Sequence, residues 1–313
     1  MVTKIAVIGV GGWGKNHARV LAELGVLGAV CDSDSFRANE IATKHGAKAY
    51  SSVDEMLASE RLDGCLVCTP TRTHSAVAKK VIEKGLHVFV EKPLAFSSKE
   101  CEEMIQLSQK MKTFLTCGYI ERFNPVVTEA QKLLVERRYG EPLMIEFHRE
   151  RRIPLHIKDV GIIFDTSVHD IDTAMFMFGS RPTVVFARAG KQIHPYEDFA
   201  TIMLGFANQK VAVIASNWLT PKKVRTFSAV CTEGIITGDF LSQEMRIDHV
   251  GETLVPRTQY QEPLTLELKN FIDSVEGKSR PVVDAASATD VTRIAEAALL
   301  SSETGSPIYL DLK

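Results

Sequence analysis

The stretch KIAVIGVGGWGKNHARVL, residues 4–21, decides the fold. An apolar run from Ile5 to Val10 meets glycines at positions 9, 11 and 14, and a helical pattern follows at once. A run apolar at every position is what a strand covered on both faces requires. Gly9, Gly11 and Gly14 fit G-x-G-x-x-G: the first permits a tight turn, the second lets a pyrophosphate approach the backbone, the third lets helix and strand pack closely. The helix amides and dipole then hold the phosphates, with Gly12 and Trp13 completing the loop around them. The next apolar run, LGAVCD, ends at Asp32, about twenty residues on, where a carboxylate meets ribose hydroxyls. Asp32 and Asp34 repel a 2′-phosphate, so NAD is expected over NADP, and Arg37 nearby moderates that preference.

Outward from this stretch the alternation continues. The runs GCLVCTP, HVFVEKP and FLTCGYI are interleaved with helical patterns such as AVAKKVIEKGL. Strands alternating with helices of this length imply right-handed crossovers and a doubly wound parallel sheet. In such a sheet ligands gather beyond the carboxyl ends of the strands. Thr69, Pro70, Thr71 and His74 of CTPTRTH fall there, as do Glu91 and Lys92 of EKP. Their hydroxyl and cationic groups suit contacts to cofactor ribose, phosphate or nicotinamide, and a capped, proline-containing loop is an equally good account of the threonines.

Past residue 120 the pattern changes. A helix, PVVTEAQKLLVERR, precedes longer alternating runs: PLMIEFHRERR, TVVFARAG, FATIMLGFA, KVAVIASNWLT, VRTFSAVCT and EGIITGDF. Short turns between them, at Ala207–Gln209 and Thr232–Gly234, imply an open, mostly antiparallel sheet in an α+β domain. Two helical patterns close the chain. The expected division is a Rossmann domain over 1–120 and a substrate-binding and oligomerisation domain over 121–313.

The 313 residues suffice for two domains with separate cores. A net charge of -2 argues against nucleic acid or an anionic membrane as partner, since both demand a basic surface. MVTKIAVIGVGGWG is too short an apolar run to span a bilayer and lacks a small-residue cleavage site, so a cytoplasmic protein is expected. Among six cysteines only CLVC has metal-like spacing. It lies inside a strand, where residues three apart face opposite ways, so no metal and buried, reduced thiols are expected.

One helix asks a question of its own. FDTSVHDIDTAMFMFG, residues 164–179, has an apolar face, yet carries Asp165, His169, Asp170 and Asp172 in its first two turns. Residues four apart on a helix share a face, which puts Asp165 beside His169. Alone, that pair reads equally as a dyad, as part of a metal site, or as an N-cap followed by a solvated acidic turn.

Together, the early G-x-G-x-x-G, CTPTRTH, EKP, GYIERFNP and the D-x-x-x-H of DTSVH resemble the glucose-fructose oxidoreductase, inositol dehydrogenase and rhizopine-catabolism (Gfo/Idh/MocA) family over essentially the whole chain. The resemblance implies a Rossmann domain joined to an open-sheet domain, and oxidation of a sugar or cyclitol hydroxyl by a nicotinamide cofactor. It places Lys92, Asp165 and His169 in catalysis, with the acid and imidazole projecting into a sugar site opposite the nicotinamide and Asp165 a possible N-cap besides. His169, with a pKa of about 6.5, is then the general base. Asp165 orients it, and Lys92 stabilises the developing alkoxide. GYIERFNP and HRERR resemble the branch that oxidises UDP-N-acetylglucosamine at the 3-position; Arg149, Arg151 and Arg152 then meet its diphosphate, and a solvated charge run on an exposed strand accounts for them equally well. Arg122, Asn124 and Asp172 join Arg149 as candidate substrate contacts, although an Arg at a domain junction is as often an ion-pair partner. A free-sugar or inositol dehydrogenase and a non-catalytic sugar-sensing regulator are the alternatives. Self-association as a homodimer or homotetramer through the open sheet is implied too.

Overall fold

The computed structural model describes residues 3–154 and 157–311. They form two compact units: 3–119 with Leu264–Thr289, and Ile120–Pro263 with 290–311.

The first unit carries strands β1 (Ile5–Ile8), β2 (Leu27–Cys31), β3 (Lys48–Tyr50), β4 (Gly64–Val67), β5 (His87–Glu91) and β6 (Leu115–Gly118). They pair in parallel in the order β3-β2-β1-β4-β5-β6. Helices α1 (Gly14–Glu23), α2 (Ser35–His45), α3 (Val53–Ser59), α4 (His74–Glu83) and α5 (Ser98–Met111) make the crossovers. Every residue of β1 and β4 is buried, as continuous apolar runs require. The strand order reverses between β1 and β4, which is the switch point where such sheets take nucleotides. Burial pushes the Cys65 thiol, in the middle of β4, up to about 12, so it behaves as a small apolar side chain.

The second unit holds α6 (Pro125–Val135), β7 (Pro142–Arg152), α7 (Val168–Phe178) and strands β8 (Pro182–Gly190), β9 (Phe199–Phe206), β10 (Val211–Asn217), β11 (Leu219–Cys231), β12 (Gly234–Asp239), β13 (Met245–His249) and β14 (Glu252–Leu254). Helices α8 (Pro263–Val275) and α9 (Ala285–Thr304) follow, then β15 (Ile308–Tyr309). The nine-stranded sheet runs β14-β13-β12-β11-β7-β10-β9-β8-β15 and is antiparallel throughout except where β10 lies parallel to β7. In β9 exposed Phe199, Thr201 and Met203 alternate with buried Ala200, Ile202 and Leu204, so one face is core and the other open.

A single cut at 120/121 does not describe the chain. Most of α8 packs with the first unit, because Phe271 sits against Phe89 and Phe114 at ring-centroid distances of 5.8 and 5.7 Å. Thr116 Oγ1 of β6 also donates to the Val283 carbonyl, at 2.6 Å.

Candidate active site

The glycine loop is built by exclusion. Gly9 has φ 88°, and a Cβ there would stand 2.7 Å from the Cys68 carbonyl oxygen. A Cβ on Gly14 would stand 1.8 Å from the Gly9 carbonyl oxygen, so α1 can start this close to β1 only without a side chain. Gly11 differs: the nearest atom to an added Cβ is Arg37 Nη1, at 3.6 Å, which leaves the space over the loop to a ligand. No side chain caps α1 and no acid lies in its first turn, the arrangement that suits an anion at a helix N-terminus.

Asp32 follows β2 and closes the loop from the other side. Its Oδ2 accepts from the Val10 amide at 2.9 Å, and its Oδ1 accepts from the Asp34 amide and from Arg37 Nη1 at 3.0 and 3.1 Å. Arg37 also pairs with Asp34, the N-cap of α2. These residues fit the adenosine ribose and pyrophosphate of a dinucleotide.

Beyond β4 and β5 the remaining loops are tied together. His74 presents Nδ1 to the Pro93 carbonyl and Nε2 to the Thr69 carbonyl, both at 2.8 Å. Carbonyl oxygens only accept, so the imidazolium can make both bonds and a neutral ring only one. Thr73, not Thr69 or Thr71, supplies the hydroxyl that bonds back, to Thr69 Oγ1 at 2.9 Å and the Pro70 carbonyl at 2.7 Å. Glu91 Oε1 lies 2.6 Å from Nε2 of fully buried His17 on α1, and its Oε2 accepts from the Lys92 amide at 3.0 Å. Glu91 therefore braces the backbone on which half-buried Lys92 stands, with the Lys92–Pro93 peptide cis.

In the second unit, the acidic helix begins differently from the α-helix its spacing predicts. Residues Ile163–Ser167 form a π-turn that runs straight into α7, and the Val168 amide bonds the Ile163 carbonyl. Wide turns of this kind are frequent at functional sites. Asp165 lies inside the turn, so it is not an N-cap. Its Oδ2 accepts from Thr166 Oγ1 at 3.0 Å, and that hydroxyl accepts from Nε1 of buried Trp218 at 3.0 Å. The carboxylate is thereby oriented by a tryptophan far along the chain, a partner no local spacing could disclose. His169 is half-buried in the first turn of α7.

A solvated acidic turn is ruled out by burial. Asp170 and Asp172 are 1% and 0% exposed, so neither faces water. Arg149 on β7 grips Asp170 through Nε and Nη2 at 2.7–3.0 Å, and its Nη1 donates to Glu121 at 3.0 Å. Burial works against the Arg149 charge, but Asp170 and Glu121 outweigh it and raise its pKa. Arg122 forks onto Asp172 at 2.6–3.1 Å. Asn124 caps α6 by accepting from the Val126 amide, and its Nδ2 donates to Glu121 and the Phe240 carbonyl. The four residues put forward as substrate contacts are thus engaged with the protein itself, and Arg149 is an internal ion pair rather than part of a solvated basic run.

Residues 3–119 match the oxidoreductase family with an NAD-binding Rossmann fold, and residues 127–237 match the GFO/IDH/MocA C-terminal domain. The chain belongs to the GFO/IDH/MocA family. It is an NAD(P)-dependent oxidoreductase acting on CH–OH groups, with NAD as cofactor. A UDP-N-acetylglucosamine 3-dehydrogenase of Acidithiobacillus ferrooxidans is 28% identical over 289 residues, covering 89% of this chain and 90% of that protein. The solved structure of that enzyme superposes with a TM-score of 0.88 at 25% identity, over 97% of this chain and 99% of the other. A scyllo-inositol 2-dehydrogenase (NAD(+)) of Bacillus subtilis is 29% identical over 333 aligned positions, 99% of this chain and 97% of that protein. Among the described residues no helix is long and apolar enough to cross a membrane.

Proposed function

We propose that the chain oxidises the 3-hydroxyl of a UDP-linked N-acetylamino sugar, with Lys92, His169 and Asp165 acting on the reacting alcohol. The observation that carries the chemistry is the Asp165 carboxylate, held on the π-turn by Thr166 and through it by Trp218, four residues before half-buried His169 at the start of α7. NAD, when bound, accepts the hydride. His169 takes the hydroxyl proton as the C–H bond breaks, since an imidazole titrates near working pH. Asp165 orients the ring and stabilises the imidazolium. Lys92 stabilises negative charge growing on the alcohol oxygen, a role that needs the fixed backbone Glu91 provides.

Likeness to the UDP-N-acetylglucosamine 3-dehydrogenase over nine-tenths of both chains supports the substrate. A second reading, an inositol dehydrogenase, has the likeness to the scyllo-inositol enzyme in its favour. A sugar sensor without turnover would have no use for Lys92, Asp165 and His169 together. The open face of the second sheet supports self-association, as a homodimer or homotetramer: exposed Met203 lies in register between Phe186 and Val213, an apolar row facing away from the core. A cytoplasmic location suits a chain that uses NAD and carries its described cysteines as free thiols.

NADH formation with UDP-N-acetylglucosamine, N-acetylglucosamine, myo-inositol and scyllo-inositol tests the assignment. Turnover of the UDP-sugar at a kcat/KM at least 10²-fold above the others is expected. Preference for an inositol moves the chain to the second reading, and no turnover of any alcohol supports the sensor. Light scattering at micromolar concentration tests the oligomer, and a monomer removes that part.

A further inference from the structure

The strands β7 and β11 bring two arginines face to face. Arg149 and Arg225 are register partners, two residues beyond the buried partners Phe147 and Phe227 on the same side of the sheet. Like charges directly opposite repel, and Glu121 stands between them, 3.0 Å from Arg149 and 3.8 Å from Arg225. The first distance is a hydrogen bond and the second is not. Arg225 Nε is buried with no hydrogen-bond partner among the described residues. Two residues further along the strands stand Arg151 and Lys223, where β11 bulges. Among the described residues Arg151 bonds only the neighbouring Arg152 carbonyl, and Lys223 has no carboxylate within 4 Å. Burial, then the charge of Arg149, push the Arg225 pKa down to about 10, and burial followed by Arg225, Arg151 and Arg149 lowers that of Lys223. Arg149, Arg151, Lys223 and Arg225 against Glu121 and Asp170 leave two positive charges unmatched. The cluster adjoins the proposed base: Arg149 grips Asp170, the residue after His169.

We propose that Arg151, Lys223 and Arg225 bind the diphosphate of a nucleotide-activated sugar, with Arg149 neutralised by its own carboxylates as the wall behind it. This rests on the nucleotide-sugar reading above. A diphosphate diester carries two negative charges, the number the cluster lacks, and its oxygens supply the acceptors that Arg225 Nε and the Lys223 ammonium want. The site differs from the HRERR run expected from the sequence: Arg149 is already engaged, and two of the three cations that can reach a ligand come from β11.

Calorimetric titration of the NADH-loaded protein with inorganic pyrophosphate, UDP and uridine tests the site without requiring turnover. Pyrophosphate and UDP bind and uridine does not, with affinity falling as salt is raised. Lys223→Ala and Arg225→Gln each weaken both anions about tenfold, the scale of one charge-assisted bond, and Arg225→Lys recovers part of the loss. Lys222→Ala, at the exposed neighbouring position, leaves them unchanged. In turnover the same two variants raise KM for UDP-N-acetylglucosamine by a similar factor, with the loss falling on KM rather than kcat. Should Arg225→Gln not fold, Lys223→Ala carries the test. Pyrophosphate that fails to bind, or binds both variants as it binds wild type, overturns the site. If UDP-N-acetylglucosamine is oxidised with KM unmoved in both variants, the site falls and the substrate reading stands. If it is not oxidised while pyrophosphate binding depends on these residues, the substrate reading falls and an anion site remains.

Discussion

Replacing Glu121 by Gln leaves the shape of the second unit nearly unchanged and removes the charge between two opposed guanidinium groups. At an effective dielectric of about 20, a carboxylate 3.0 Å from Arg149 and 3.8 Å from Arg225 is worth about 5 and about 4 kcal/mol of attraction. Several kcal/mol of this returns, because an amide needs no such dehydration, and Asp170 still neutralises Arg149. The net cost is about 3–5 kcal/mol, the usual range for leaving a buried charge uncompensated. Arg225 is the group so left. Arg225→Gln alone trades a 3.8 Å attraction against relief from Arg149, so it costs about 1 kcal/mol or less. In the double variant the orphaned charge is gone, and it recovers about 1–2 kcal/mol of the Glu121→Gln loss, so the two changes are not additive. Trp218, buried in the second unit, reports this by fluorescence during urea unfolding, in a Trp13→Phe background that silences the exposed tryptophan of the first. A Glu121→Gln cost under 1 kcal/mol, or strictly additive losses, refutes the charge accounting on which the anion site is built.

Four further outcomes are expected. Wild type binds NAD at least tenfold more tightly than NADP; Asp32→Ala narrows that gap and weakens NAD too, because Asp32 also holds the Val10 amide, while Arg37→Ala widens it. Lys92→Ala and His169→Ala keep near-normal NAD affinity and lose about 10²-fold or more in single-turnover hydride transfer, and equal rates in wild type and His169→Ala would return that residue to a structural role. Replacing the buried pair Arg122–Asp172 by Met and Leu together leaves stability within about 1 kcal/mol or raises it, but lowers kcat about tenfold; full turnover in that variant would count against an orienting role. Burial alone would raise the Asp198 pKa, but the amides of Ile193, His194 and Gln192 outweigh it and lower it below 3.8. The stability it contributes is then complete above about pH 4 and is lost as pH falls through the depressed value, so Asp198→Asn flattens the acid limb of a Tm-against-pH curve, and equal limbs would sink the assignment.

The parts of the fold that could be read from the sequence are those set by local burial. β1, β2, β4, β5 and β6 are short apolar runs because helices cover both faces, and β9 alternates because only one face is covered. β3 gives no such signal because it is a three-residue edge with an exposed lysine, Lys48. β13 and β14 are silent for a related reason: MRIDH carries charge at alternate positions, and both it and ETL have too few apolar residues to signal a strand. The return of α8 to the first unit was illegible as well, since an amphipathic pattern shows that a helix has a buried face but not which sheet receives it. In the site, Gly9, Gly14 and Asp32 were legible because their neighbours in space are near neighbours in sequence. The ion pairs were not: Asp172 finds Arg122 fifty positions away. A signal did exist. Asp170 and Asp172 sit among Ile171, Ala174, Met175 and Met177 in a helix with apolar residues on all sides, and acids so placed need cations.

Those pairs also explain how a helix can carry Asp165 and His169 at a fixed angle. Successive side chains on an α-helix are about 100° apart, so Asp170 and Asp172 leave α7 in nearly opposite directions, about 200° around the axis. Arg149 holds one from β7, and Arg122 holds the other from the 120–123 segment. Forked guanidinium–carboxylate contacts fix direction as well as distance. A helix gripped on opposite sides cannot roll about its axis without breaking one grip, whereas packed leucines would tolerate a roll of several degrees. Buried ion pairs contribute little net stability over apolar residues of equal volume, so stability does not account for two of them in one helix. Orientation does. Asp165 and His169 lie at the end of the element the arginines hold, and a general base misplaced by about 1 Å loses about 10²-fold in rate.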